Sequence, residues 1–207
     1  MIGRLCYIAD GNRATAGRPL EPVVRELAAG GVEMVIVRQF DWSASRWREL
    51  AEALAPLRWR GLRVLASRRL DLARALGLDG VHLAADAVDV TRARAWLGDG
   101  ALVGYSAHSG DEARRAAGEG ADYVTLSPIY PTSSKPGEPG RGCAWLAEAT
   151  RDLDIPALAL GGVTPARTAE VLAAGAWGVA AVTALGAVED PARAAGEFAG
   201  ELGRAER

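Results

Sequence analysis

The chain is nearly without lysine. Lys135 stands alone, and every other basic side chain is arginine. Charge of one sign is lacking too: 24 Lys and Arg face 26 Asp and Glu, for a net charge of −2. With the arginines scattered along the chain rather than gathered in a block, nothing marks a footprint for nucleic acid. Cysteine is scarce. Cys6 and Cys143 are far apart and match no metal or redox spacing, so both are expected as small buried side chains in a reducing compartment. The longest apolar run, 176–188, is too short for a membrane span and holds two glycines. At the N-terminus a very short apolar run meets Asp10, too soon for a signal peptide. These absences point to a soluble cytoplasmic protein with neither nucleic acid nor membrane as a partner.

What is present is an alternation. Strand-length apolar runs at 5–9, 33–37, 62–66, 79–83, 101–105, 122–126, 157–160 and 177–182 are each followed by a segment of helical period. Those helices are expected at 19–30, 43–57, 70–76, 88–97, 109–119, 143–151, 165–174 and 191–202. In the second, Trp47, Leu50, Ala51 and Leu54 fall on one face at i, i+3, i+4 and i+7. Ser109 with Glu112 three residues on makes a capping box. Glycine closes most helices, as C-cap chemistry requires. Strands apolar almost throughout are buried on both faces, which implies a parallel sheet with helical crossovers. Eight units in 207 residues fit an α/β fold of one domain, a (β/α)8 TIM barrel at the small end of its size range. An open doubly wound sheet would carry a G-x-G-x-x-G turn after the first strand, and none follows Ala9.

A barrel keeps its chemistry at the carboxyl ends of its strands. Those ends hold Asp10, Arg38, 67–69, His82, Asp86, 106–109, the loop 127–142, Gly161, Gly162 and Thr183. The loop, S-P-I-Y-P-T-S-S-K-P-G-E-P-G-R-G, places Lys135 beside Thr132, Ser133 and Ser134. A solvated loop would carry the same residues. A lysine's compact charge on a flexible stem nevertheless suits a phosphate oxygen. Bare backbone at Gly161 and Gly162, with Thr183 after the last strand, supplies donors to the same rim. His108, beside Ser106, is the natural proton carrier on the active face, although a loop-ordering hydrogen bond would also explain it. His82 reads equally as structural or functional. Asp86 and Asp89 are placed for helix capping more than for a metal.

These segments resemble the thiamine phosphate synthase/TenI family. The resemblance is carried by L-C-Y-I-A-D, R-L-D-L-A-R-A-L-G-L-D-G-V-H-L, V-G-Y-S-A-H-S-G-D-E-A, G-A-D-Y-V-T-L-S-P-I-Y-P-T-S-S-K-P-G and I-P-A-L-A-L-G-G-V, in family order over nearly the whole chain. It implies a TIM barrel that binds a thiazole phosphate, held by Gly162 and the region of Thr183. It implies that Ser106, Thr132, Ser134 and Lys135 hold diphosphate or close over the ligand. The departures fall in the metal and pyrimidine positions. Where synthases read Q-L-R-x-K this chain has Ile36, Val37, Arg38, Gln39 and Phe40; their N-D-R is Ser67, Arg68, Arg69; their second magnesium carboxylate falls on Ala87. Pro128 stands where the tautomerases of the family carry a histidine, while their other histidine matches His108.

The leading expectation is therefore a TenI-like thiazole tautomerase without metal or other cofactor. In it His108 moves the proton, and Gly161, Gly162 and Thr183 cup the phosphate. The alternative is a divergent thiamine phosphate synthase, with Lys135, Thr132, Ser134 and Arg38 on diphosphate, Asp86 replacing a lost metal ligand, and Mg2+ as cofactor. The third reading is a non-catalytic sensor that keeps the ligand cup. Trp42, Trp47 and Trp59 leave open whether the helices pack locally or form a homo-oligomer.

Overall fold

A computed structural model describes residues 2–205. Eight strands, β1 Leu5–Asp10, β2 Met34–Arg38, β3 Arg63–Ser67, β4 Gly80–Leu83, β5 Leu102–Ala107, β6 Tyr123–Leu126, β7 Ala157–Leu160 and β8 Gly178–Ala181, close into a barrel in chain order. Every pairing is parallel, including β1 with β8. Around them run α1 Leu20–Ala29, α2 Ala44–Arg58, α3 Leu70–Ala75, α4 Val90–Leu97, α5 Gly110–Gly118, α6 Gly142–Thr150, α7 Pro165–Ala173, α8 Thr183–Gly186 and α9 Pro191–Arg204.

The alternation of side chains explains why the strands read as unbroken apolar runs. Cys6, Ile8, Met34, Ile36, Leu65, Tyr123, Leu158 and Ala180 form one buried cluster inside the barrel. Their sequence neighbours, among them Tyr7, Val35, Val64, Val124 and Val179, belong to the larger cluster beneath the helices. Both faces of each strand are thus dry, the condition under which a parallel sheet is found. The expected stripe of α2 is buried throughout, with Trp47 1% exposed, so Trp47 is core; Trp59, at the end of the same helix, is 86% exposed.

Several expected boundaries shift. β5 runs to Ala107 rather than Tyr105, because Ser106 and Ala107 continue in register with Thr125 and Leu126. The capping box of α5 is offset by one residue. Ser109 Oγ accepts from the Glu112 N–H at 3.1 Å, but the Glu112 carboxylate accepts from the N–H of His108 at 2.7 Å. Asp89 is the N-cap of α4, accepting from the Arg92 N–H at 2.7 Å. Two short elements were not expected from the sequence, a 3-10 turn at Asn12–Thr15 and α8. Cys6 is buried as expected, whereas Cys143 is half-buried against the Tyr130 hydroxyl, 3.3 Å away. Among the described residues no helix is long and apolar enough to cross a membrane.

Candidate active site

At the carboxyl end of the barrel lies a cavity of about 580 Å³, within the range of small-molecule sites. Arg38, Ser106, His108, Thr132, Ser134, Lys135, Gly161, Gly162 and Thr183 all line it, together with Asp10, Arg13, Ser67, Arg68 and His82. Residues from all eight strands, or from the loops directly after them, thus reach one space, as closure of the barrel demands.

The wall formed by β6 and β7 is mostly main chain. Past the strand ends the pairing continues: the Ile129 N–H donates to the Leu160 carbonyl at 3.0 Å and the Tyr130 N–H to Gly161 at 2.9 Å. The loop then returns on itself, with the Arg141 N–H on the Pro128 carbonyl and the Gly142 N–H on that of Ile129. Gly161 and Gly162 have φ of 98° and 65°. A Cβ on Gly162 would stand 2.6 Å from the Pro131 carbonyl oxygen and 2.8 Å from Tyr130 Cβ. Only glycine lets the loop lie this close, so the glycine pair serves packing as well as bare backbone. From outside, Tyr130 donates its hydroxyl to Glu170 of α7 at 2.7 Å, and Arg167 donates to the Gly162 carbonyl at 2.7 Å. Lys135 stands at the rim, its ammonium 3.5 Å from Glu138.

Inside the mouth, His82 bridges two strands that sequence reading did not connect. Its Nε2 is 2.8 Å from Ser106 Oγ and its Nδ1 3.0 Å from the Tyr123 hydroxyl. Gly104 lies in register between them. A Cβ there would come within 2.2 Å of the Tyr123 ring, so this glycine is what lets the two rings stack. Burial, reinforced by the charge of Arg38, lowers the His82 pKa to about 3, and burial raises that of Tyr123 well above the ordinary phenol value. A neutral imidazole and a phenol that keeps its proton satisfy one another best when Tyr123 donates to Nδ1 and Nε2–H donates to Ser106. The Ser106 hydroxyl hydrogen is then turned to the cavity. A glycine inside a strand was the sequence signal available for this arrangement.

His108 is fixed differently. Its Nδ1 lies 3.0 Å from the Ser127 carbonyl oxygen. A carbonyl only accepts, so the proton is on Nδ1 and Nε2 of the neutral ring is the basic nitrogen.

The opposite wall, from β1 to β3, carries charge on long side chains. Arg38 approaches Asp10 at 3.5 Å, and Arg13 also bonds to Asp10. Arg68, in the left-handed region at φ 62°, donates Nη1–H to Asp86 at 2.6 Å. The guanidinium carbons of Arg38 and Arg68 sit 5.5 and 5.3 Å from the ring of one residue, Phe40.

The resemblances are consistent with this architecture. A family model described as thiamine monophosphate synthase matches residues 5–185. A Geobacter sulfurreducens protein is 43% identical over 89% of this chain and 88% of its own length. A thiamine-phosphate synthase of Salinispora arenicola is 39% identical over 95% and 96%. The solved structure of a thiamine phosphate pyrophosphorylase from Pyrococcus furiosus superposes with a TM-score of 0.87 at 26% identity, covering 98% of this chain and 96% of that one. A barrel mouth of this construction, and likeness that runs along nearly the whole chain, place the protein in the thiamine phosphate synthase/TenI family.

Proposed function

We propose that the protein is a thiamine-phosphate synthase, a transferase joining an aminopyrimidine methyl diphosphate to a thiazole phosphate. The observation that carries this reading is the two-sided mouth. Donors of phosphate-binding type stand on β6, β7 and β8, and guanidinium groups stand across from them on β2 and β3. A cavity of about 580 Å³ with two such walls suits two anionic substrates, whereas an isomerase needs one. The names carried by the relatives favour the transferase over the tautomerase that the departures in the sequence suggested.

In this reading Gly161, Gly162 and Thr183 hold the thiazole phosphate. Thr132, Ser134 and Lys135 close over the diphosphate, with Ser106 donating its hydroxyl and Arg38 lying opposite. Holding the two reactants together is itself a large part of such catalysis. Magnesium accompanies this reaction in the family, but the residues here do not fit it. Asp86 is bonded to Arg68, its neighbour is Ala87, and among the described residues no three His, Cys, Asp or Glu side chains gather as a metal site.

A second reading, the thiazole tautomerase, is favoured by one observation, the basic Nε2 that the Ser127 carbonyl leaves on His108. Supplying the pure protein with the two substrates, and separately with the non-aromatic thiazole phosphate, separates the readings. The transferase predicts thiamine phosphate and diphosphate in equal amounts. Aromatisation alone, abolished by His108→Asn, would replace it with the tautomerase, and binding without either product would leave a sensor.

A further inference from the structure

The cationic wall carries more than a general attraction for anions. We propose that Arg68, with Arg38 beside it on the ring of Phe40, binds the diphosphate directly, so that this chain recognises diphosphate without a divalent cation. The identity of the ligand rests on the transferase reading; the ion requirement rests on the wall itself.

Arg68 is held at both ends. Its N–H donates to the His82 carbonyl at 3.0 Å, continuing the β3–β4 pairing one residue past the strand. Its guanidinium lies by the Phe40 ring at 5.3 Å and bonds to Asp86 at 2.6 Å. Phe40 is 47% exposed, an apolar surface whose neighbours in the mouth are two guanidiniums. Asp86 takes one N–H of a fork that offers five. The flat fork matches two oxygens of a diphosphate at once, which an ammonium cannot do.

The charge around the wall opposes a dication. The cavity is lined by Arg13, Arg38, Arg68 and Lys135 but by a single carboxylate, Asp10, and that carboxylate already faces two arginines. Asp86 spends one carboxylate oxygen on Arg68 at 2.6 Å, so a magnesium ion on the other would stand beside a guanidinium that stays charged. Hard cations seek several oxygen ligands free of such company. In this proposal the guanidiniums meet the charge that appears in the reaction. The bond between the pyrimidine methylene and the diphosphate oxygen breaks, and both electrons leave with the diphosphate. The thiazole nitrogen lone pair forms the new C–N bond. Fixed donors aimed at the departing oxygens are what such a step requires, and the balance includes no other reactant.

The test is titration calorimetry with inorganic diphosphate, in EDTA and again with magnesium, on the intact protein and three variants. Binding in EDTA is expected, with magnesium changing the affinity by less than about threefold. Arg68→Ala is expected to weaken binding by about tenfold or more, the range for a lost charge-assisted hydrogen bond. Arg68→Lys, which keeps the charge and the fold but not the fork, should fall between. Asp86→Asn, which frees the guanidinium, should strengthen binding. Binding that appears only with magnesium overturns the proposal, as does Arg68→Lys binding as tightly as the parent, or Asp86→Asn losing binding in the manner of a metal ligand. Thiamine phosphate formed with magnesium alone, alongside magnesium-dependent diphosphate binding, would sink the proposal and keep the transferase. Diphosphate held through Arg68 in EDTA without any product would keep the anion site and sink the transferase.

Discussion

The two walls of the mouth reach the same end by different means. On β6 and β7 the surface is main chain, fixed by continued strand pairing and by glycines that admit no side chain. On β2 and β3 it is guanidinium, 41% exposed in Arg38 and 31% in Arg68, steered by a ring and two carboxylates. The first wall is set when the barrel folds and cannot be altered without altering the fold. The second can change its reach or charge while the barrel stays as it is. Shape is selected on one side and charge on the other.

The contrast can be broken most readily at Gly162. Replacement by Ala places a Cβ against the Pro131 carbonyl and Tyr130 at a φ of 65°. It is expected to cost about 2–4 kcal/mol by overpacking and backbone strain, read as a lower denaturation midpoint, with phosphate binding lost. Arg38→Ala, on the other wall, is expected to change stability by less than about 0.5 kcal/mol, because its ion pair is exposed. Equal losses from the two variants would refute the division.

Acid probes the floor between the walls. His82 has a pKa of about 3 when folded against an ordinary 6.5, so between those values the unfolded chain binds the extra proton. Stability is therefore complete above about pH 6.5 and falls as pH drops toward 3, by up to about 1.4 kcal/mol per unit. Thermal melts of the parent and His82→Gln should converge in slope if carboxylates alone govern acid unfolding, and differ below pH 6.5 if His82 contributes. A smaller effect sharpens the picture from outside the mouth. Tyr130→Phe removes the bond to Glu170, which is exposed, and should lower the thermal midpoint only slightly, far less than the Gly162 variant does. No loss at all would mean that the main-chain pairing alone secures the loop.

Much of this is legible in the sequence itself. Buried strands leave continuous apolar runs, so the barrel and its eight units could be read, and topology then placed Arg38, His108, Lys135 and Gly162 on one rim. The rest depended on register between strands far apart in the chain. His82 and Tyr123 are 41 residues apart, and nothing local announces that Gly104 lies between them. Arg68 is visible in the sequence as a cation, but its neighbours are not. Phe40 comes from the loop after β2 and Asp86 from the turn after β4, so the sequence could register that Arg68 stands where the aspartate is lost and not what that arginine touches. The end of β5 was misplaced for a similar reason, since polar Ser106 ends an apolar run while the hydrogen-bond ladder goes on.

Lys135 carries the one side-chain amine in the chain, and it stands at the rim of the cavity with its side chain 36% exposed. An amine-selective dye therefore has a single side chain to find, at the spot where the strand-six loop meets whatever occupies the mouth. The protein is furnished with its own attachment point for an optical reporter, and occupancy can be followed by how far a bound anion protects that nitrogen from acylation.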